Sequence, residues 1–264
     1  MEKIKKIEIW RIKDLAIVGY PKVGNTWFQF MFRTFILIHF KQNPKYFSKI
    51  NNFLINRINI DTKTEIKEHF EFEVTHNMPL FNDEKWQDME VDNKIFSNKN
   101  IILLVRHPVA TLISLYKHNV YRDSLLPESM SVDEMVYDDM YGFNKYLKYY
   151  QTWERDKDIP KNIFIVRYED MQIDTFNIFK QAIVSIGINP SNFDLKICIK
   201  LSSKKNMQKI EKAGIIDFPP MAPSKIDDPR AMKVNTDTSI QMKPETVEYI
   251  NKRFEKEMPK FFRY

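Results

Sequence analysis

The stretch Asp14-Leu-Ala-Ile-Val-Gly-Tyr-Pro-Lys-Val-Gly-Asn-Thr-Trp27 decides the fold of this chain. Its apolar run, Leu15 to Val18, reads as a strand and ends in a turn containing Gly, Pro and Lys. An aromatic-rich helical segment follows, from about Asn25 to Phe40. Strand, loop and helix in this order make a phosphate cradle, because N–H groups of the loop and of the helix N-terminus point at one spot. Lys22 adds a full positive charge. Pro21 fixes one φ angle, and Gly24, lacking a Cβ, lets backbone approach an anion closely. Thr26 offers a hydroxyl in the first helical turn, and Trp27 a flat face on which a base can stack. The order of residues is not that of a Walker A loop, which carries its Lys at the end rather than early.

A second strand-loop-helix unit lies in Asn100-Ile-Ile-Leu-Leu-Val-Arg-His-Pro-Val-Ala-Thr-Leu-Ile-Ser-Leu-Tyr116. The continuous apolar run Ile101 to Val105 reads as a buried parallel strand. Arg106 stands at its C-terminal end, Pro108 fits a first helical position, and Ser114 lies about two turns further on. A phosphate monoester is well matched by the planar fork of an Arg with a hydroxyl to complete the shell. A third strand, in Asn162-Ile-Phe-Ile-Val-Arg-Tyr-Glu-Asp-Met171, runs into Tyr168.

The first loop resembles the 5′-phosphosulfate loop of sulfotransferases, Y-P-K-[SA]-G-[TS]-[TS]-W. Six of its eight positions match, while Val23 and Asn25 replace hydroxyl residues. Arg106 and Ser114 have the spacing of the family's 3′-phosphate motif, R-[ND]-P followed by a Ser eight residues after the Arg. The resemblance implies an α/β fold, a central parallel β-sheet flanked by helices, of the P-loop-NTPase-like sulfotransferase type, in one domain over residues 1–264. It implies 3′-phosphoadenosine 5′-phosphosulfate (PAPS) as donor, 3′,5′-adenosine diphosphate (PAP) as product, and no metal. It also implies roles: Lys22 on the leaving phosphate, the backbone of Val23, Gly24 and Asn25 with Thr26 on the 5′-phosphate, Trp27 on the base, and Arg106 and Ser114 on the 3′-phosphate. In the family the Ser also engages the Lys before acceptor arrives. Tyr168 is carried over as a neighbour of adenine, and a half-buried core aromatic is the other reading of it.

Transfer to a hydroxyl or amine needs a group that takes the acceptor's proton, and His suits this near neutral pH. Of His39, His69, His76, His107 and His118, His76 ends the alternating segment Phe70-Glu-Phe-Glu-Val-Thr-His. It therefore falls at a strand's C-terminal edge, where open α/β sheets gather ligands. The segment is similar to the family's K-[ST]-H-x-P. Val74 stands at the Lys position, and Pro79 comes one residue late.

The later elements match less well. The family's S-F-x-x-M segment appears as Ser202-Ser-Lys-Lys-Asn-Met207, with Ser203 and Met207 in register and Lys204 at the aromatic position. Its R-[KR]-G-x-x-G segment appears only as Arg230-Ala-Met-Lys-Val234, without the glycines, leaving Arg230 as the candidate cation.

Composition bounds the rest. The 264 residues are 43% hydrophobic and 29% charged, as in a soluble globular protein, and suffice for one α/β domain. The net charge of +6 suits an anionic cofactor, but it is spread along the chain and no nucleic-acid motif accompanies it. One cysteine, Cys198, leaves no intrachain disulfide and favours a reducing, cytoplasmic setting; it reads as a small buried hydrophobe. Phe28 to Phe40 is too short to span a bilayer. The expected partner is a small-molecule acceptor, with no nucleic acid and no integral membrane association. Lys41 to Glu65, Tyr121 to Ser131 and Ala213 to Asp237 read as covers over a site. Val132 to Trp153 reads as one amphipathic aromatic segment that belongs in the core or lines an apolar acceptor pocket. Glu71, Glu73, Asp123 and Glu128 would instead receive a cationic acceptor. Two rival readings stay open: a small-molecule kinase with a P-loop, and a non-catalytic nucleotide-binding relative.

Overall fold

The computed structural model describes residues 14–40, 58–61, 67–70, 72–76, 84–214, 228–232, 234 and 238–263. In chain order the elements are β1 (Leu15–Gly19), α1 (Asn25–His39), β2 (Ile58–Asp61), β3 (Lys67–Phe70), β4 (Glu73–Thr75), β5 (Asn100–Val105) and α2 (Pro108–Lys117), which runs into a π-helical turn (His118–Arg122). They continue with α3 (Val132–Val136), α4 (Phe143–Arg155), β6 (Asn162–Arg167), α5 (Tyr168–Ile173), α6 (Thr175–Ser185), α7 (Asn192–Leu201), α8 (Lys204–Ala213) and α9 (Pro244–Glu257).

Four strands form one all-parallel sheet in the order β4-β1-β5-β6. Ile17 stands between Val74 and Ile102, and Ile102 next to Phe164. Every residue of β1 and β5 is buried, which is why both read as unbroken apolar runs rather than as alternation. The helices form two packed groups, α1 with α6 and α7, and α2 with α4 and α9. Phe28, Phe32 and Phe35 of α1 are wholly buried, and Phe28 and Phe35 both meet Phe179 of α6 edge-on. Burying each such ring contributes about 1.5–3 kcal/mol.

The sequence expectations differ from the structure in two places. The alternating segment ending at His76 is two strands. Only β4 joins the central sheet, whereas β3 pairs with β2 in a separate antiparallel ribbon. Val132 to Trp153 is two helices rather than one. Asp138 Oδ1 accepts from the backbone N–H groups of Met140 and Tyr141 at 2.7 and 2.8 Å, which turns the chain. Gly142 closes that turn, since a Cβ there would sit 2.3 Å from the carbonyl oxygen of Asp138. Phe143, Tyr146, Tyr149 and Tyr150 are wholly buried, so of the two readings of this aromatic segment the core one holds. The C-terminal aromatics dock back: Phe262 is buried against Tyr150, and Arg167 donates to the carbonyls of Phe261 and Arg263. Glu71, Pro79, most of the Lys41–Glu65 cover and residues 215–227 of the later one lie outside the described residues. No helix among the described residues is long and apolar enough to cross a membrane.

Candidate active site

Parallel strands share one C-terminal edge, and the four strands of this sheet deliver four chemically distinct features to it. The Tyr20–Gly24 loop follows β1, His76 follows β4, Arg106 follows β5 and Tyr168 follows β6. Helices α1 and α2 begin at this edge with neither a side-chain cap nor an acidic residue in the first turn. Elsewhere α3, α6 and α7 are capped by Ser131, Asp174 and Ser191. The first-turn N–H groups of α1 and α2 have no intrahelical partner, so both termini suit an anion.

The first loop is tightly wound. Lys22 and Gly24 both have left-handed backbone, with φ of 70° and 102°. Val23 points into the core, 1% exposed, so only its backbone can serve a ligand. A Cβ on Gly24 would lie 2.6 Å from the Tyr168 ring. Thr26 and Trp27 are half-buried in the first turn of α1.

Three sequence-predicted groups meet around Tyr168. Its ring packs edge-on against Trp27, with centroids 5.7 Å apart, and the Arg106 guanidinium stacks 4.4 Å from its centre. Arg106 also donates from Nη1 to the Lys22 carbonyl at 3.0 Å, while its Nε is buried without a partner. That orphaned donor fits an anion at this place. Tyr168 is thus a half-buried packing residue beside the loop. Ser114 is half-buried two turns along α2.

Trp27 links the loop to the later elements, because its indole Nε1 donates to the Ser202 carbonyl at 3.0 Å. Ser203 is the exposed N-cap of α8, without a side-chain cap bond, and Met207 is buried behind it. The Ser202 hydroxyl is buried and unpartnered. Arg230 is engaged differently. Its guanidinium grips Asp228 at 2.7 and 3.0 Å and stacks 3.8 Å from the Tyr121 ring. A phosphate at Arg230 would compete with that carboxylate.

His76 sits at the foot of the loop. Its Nδ1 lies 2.7 Å from the Gly19 carbonyl oxygen and 3.2 Å from Asn25 Nδ2. Two unprotonated acceptors do not approach that closely, so Nδ1 carries a proton and donates to Gly19, and in the neutral ring the lone pair is then on Nε2. The other described histidine side chains have different surroundings. His39 meets Asp194 and His118 meets Asp123, both at 3.1 Å. His107 packs on Phe254, and burial holds its pKa below the ordinary value despite the carboxylate of Glu169. Of the acids considered for a cationic acceptor, Glu73 pairs with Lys99 and Asp123 with His118.

Several supporting residues carry no motif. Tyr146 and Tyr150 donate their hydroxyls to the carbonyls of Arg106 and Leu104 at 2.7 and 2.9 Å, and so fix the end of β5. Glu169 accepts from the His107 N–H at 3.1 Å. The i, i+4 spacing of the two tyrosines signals a shared helix face, but not which carbonyls they reach.

The sulfotransferase domain family matches residues 13–262, nearly the whole chain. The chain belongs to that family, the PAPS-dependent sulfotransferases. Among solved structures, mouse sulfotransferase SULT7A1 complexed with PAP is similar at 16% identity. Its TM-score is 0.56, over 94% of this chain and 86% of that one. Retinol dehydratase, solved with androsterone and the inactive cofactor PAP, is similar at 13% identity and a TM-score of 0.61, over 96% of this chain and 83% of that one. The same enzyme with retinol and PAP gives 12% identity and a TM-score of 0.59, with the same coverage. At these identities the likeness carries the fold alone. No curated protein sequence matches the chain.

Proposed function

We propose that this enzyme moves a sulfuryl group from PAPS to a hydroxyl or amine of a small-molecule acceptor, with His76 as base and Lys22 as the cation on the leaving phosphate. The observation that carries the reading is the meeting of the first loop, Arg106 and His76 at one sheet edge, with His76 Nδ1–H donated to the carbonyl of Gly19, the residue that leads into the loop.

The sulfuryl sulfur forms a bond to the acceptor oxygen or nitrogen as its bond to the bridging phosphate oxygen breaks. That oxygen keeps the electron pair and leaves as part of PAP. His76 Nε2 takes the acceptor's proton, a role worth roughly 10²–10⁴-fold. By analogy with phosphoryl transfer the transition state is loose, so placement and charge stabilisation do most of the work. Lys22 offsets the charge that grows on the bridging oxygen. Thr26 and the N–H groups of Gly24 and Asn25 hold the 5′-phosphate. Arg106, whose buried Nε lacks a partner, holds the 3′-phosphate with Ser114. Ser114 also restrains Lys22 until acceptor is bound. Trp27, Tyr168, Ser203 and Met207 surround the adenine, and Arg230 reaches the 3′-phosphate only by yielding Asp228. The whole chain acts as one domain in the cytoplasm, and the scheme uses no metal.

The test is incubation of the purified chain with a panel of alcohols, phenols and amines, once with PAPS and once with ATP and Mg²⁺, read by mass spectrometry. Sulfated product with PAPS alone supports the reading. Phosphorylated product with ATP would replace it with a kinase, and no product with either donor on a broad panel would favour a non-catalytic relative.

A further inference from the structure

We propose that Asn25 is a positioning residue for His76 and not a side-chain ligand of the 5′-phosphate; this rests on the sulfotransferase reading. Asn25 occupies the first position of α1, where its side chain has two directions open to it, outward to the cradle or inward beneath the loop. It takes the second. The residue is 8% exposed, and its Nδ2 lies 3.1 Å from the Tyr20 carbonyl, 3.4 Å from the Gly19 carbonyl and 3.2 Å from His76 Nδ1. Its Oδ1 is packed so closely over Gly19 that a Cβ there would meet it at 2.8 Å.

The amide can have only one orientation. Flipping it would set Oδ1 against two carbonyl oxygens, which repel it. Nδ2 is therefore the donor to the Gly19 and Tyr20 carbonyls. Because Nδ1 of His76 already donates to Gly19, the amide does not donate to the ring and instead packs along its edge. One carboxamide thus holds the carbonyl that selects the tautomer of His76, and also flanks the ring. A threonine or serine at this position has no second donor with which to bridge two carbonyls. The loss of the family's hydroxyl is therefore matched by a new link between the loop and the base. The 5′-phosphate keeps the backbone N–H of residue 25 and the Thr26 hydroxyl.

The experiment uses the full chain with ¹⁵N-labelled histidine, and it compares wild type, Asn25→Ala and Asn25→Thr. Ring ¹⁵N shifts report the tautomer of His76, and calorimetry with PAP reports donor-site binding. The proposal expects neutral His76 of the wild type to be protonated on Nδ1 alone, and both variants to show mixed tautomers. PAP affinity should stay within about threefold, because no hydrogen bond to phosphate has been removed. A wild-type His76 protonated on Nε2, or unchanged tautomers in the folded variants, would overturn it. So would a loss of PAP affinity of about tenfold or more, the mark of a deleted charge-assisted bond. If Asn25→Ala does not fold, the wild-type spectrum and Asn25→Thr still decide. Absence of PAP binding by the wild type would overturn the donor reading and leave the tautomer result standing.

Discussion

Arg106 Nη1 donates to the backbone carbonyl of Lys22 at 3.0 Å. Two motifs 84 residues apart in sequence are thereby joined by a hydrogen bond from the guanidinium of one to the backbone of the other. Arg106 is itself held by the stacked Tyr168 ring and by Tyr146, whose hydroxyl donates to its carbonyl. Arg106→Lys keeps the charge but removes the fork. Its affinity for PAP should fall by about 10- to 100-fold, the worth of a charge-assisted bond to phosphate. Its affinity for 5′-AMP, which lacks the 3′-phosphate, should fall only severalfold, through the loosened loop. Calorimetry with both nucleotides checks this, and equal losses would remove Arg106 from the 3′ site.

Lys22 holds its charge on strained backbone, with φ of 70°. Left-handed backbone costs a non-glycine residue roughly 1–2 kcal/mol. Lys22→Gly should therefore be more stable than Lys22→Ala by about 1 kcal/mol, while neither variant transfers sulfuryl groups. Urea denaturation of the pair measures the difference. Equal midpoints, or activity in either variant, would count against strain accepted for function.

Gly24 faces the Tyr168 ring with no room for a Cβ, at a φ of 102°. Gly24→Ala should cost about 1–3 kcal/mol of stability and displace the ring. Tryptophan fluorescence should report it, because Tyr168 packs on Trp27. An unaltered spectrum in a folded Gly24→Ala protein would mean that the loop does not rest on Tyr168.

Burial sets the response to alkali. It pushes the Cys198 thiol up to about 12 and raises the phenols of Tyr20, Tyr146 and Tyr149. Once pH passes the unfolded thiol value of about 8.5, the unfolded chain releases protons that the folded chain retains, so stability falls as pH rises. The urea midpoint should drop between about pH 8 and pH 10.5, and Cys198→Ala should lessen the drop. A midpoint that holds or rises would show that these groups are not buried.

What could be read in sequence follows from where the information resides. β1 and β5 are fully buried and therefore uniformly apolar, so the loops that follow them stand out where the apolar runs end. The starts of helices α7 and α9 are marked locally, by Ser191 as a cap and by Pro244 at the first helical position. The break between α3 and α4 was not legible, because it depends on one carboxylate, Asp138, turning back on two particular N–H groups. The division of β3 from β4 was equally hidden, since alternation shows that a segment is extended but not which sheet it joins. Asn25 is the sharpest case. Sequence comparison presented it as a lost hydroxyl, and only its direction beneath the loop shows it holding Gly19 and Tyr20.

The most direct measurement is single-turnover transfer from PAPS by wild type and His76→Ala, run with an acceptor found in the panel, alongside calorimetric binding of PAP to both. The account predicts that sulfated product and PAP appear in equal amounts with the wild type. It predicts that transfer by His76→Ala falls by roughly 10²–10⁴-fold while PAP binds both proteins alike. Wild-type rates of transfer in His76→Ala would contradict the assignment of the base, and release of PAP without sulfated product would contradict sulfuryl transfer to that acceptor.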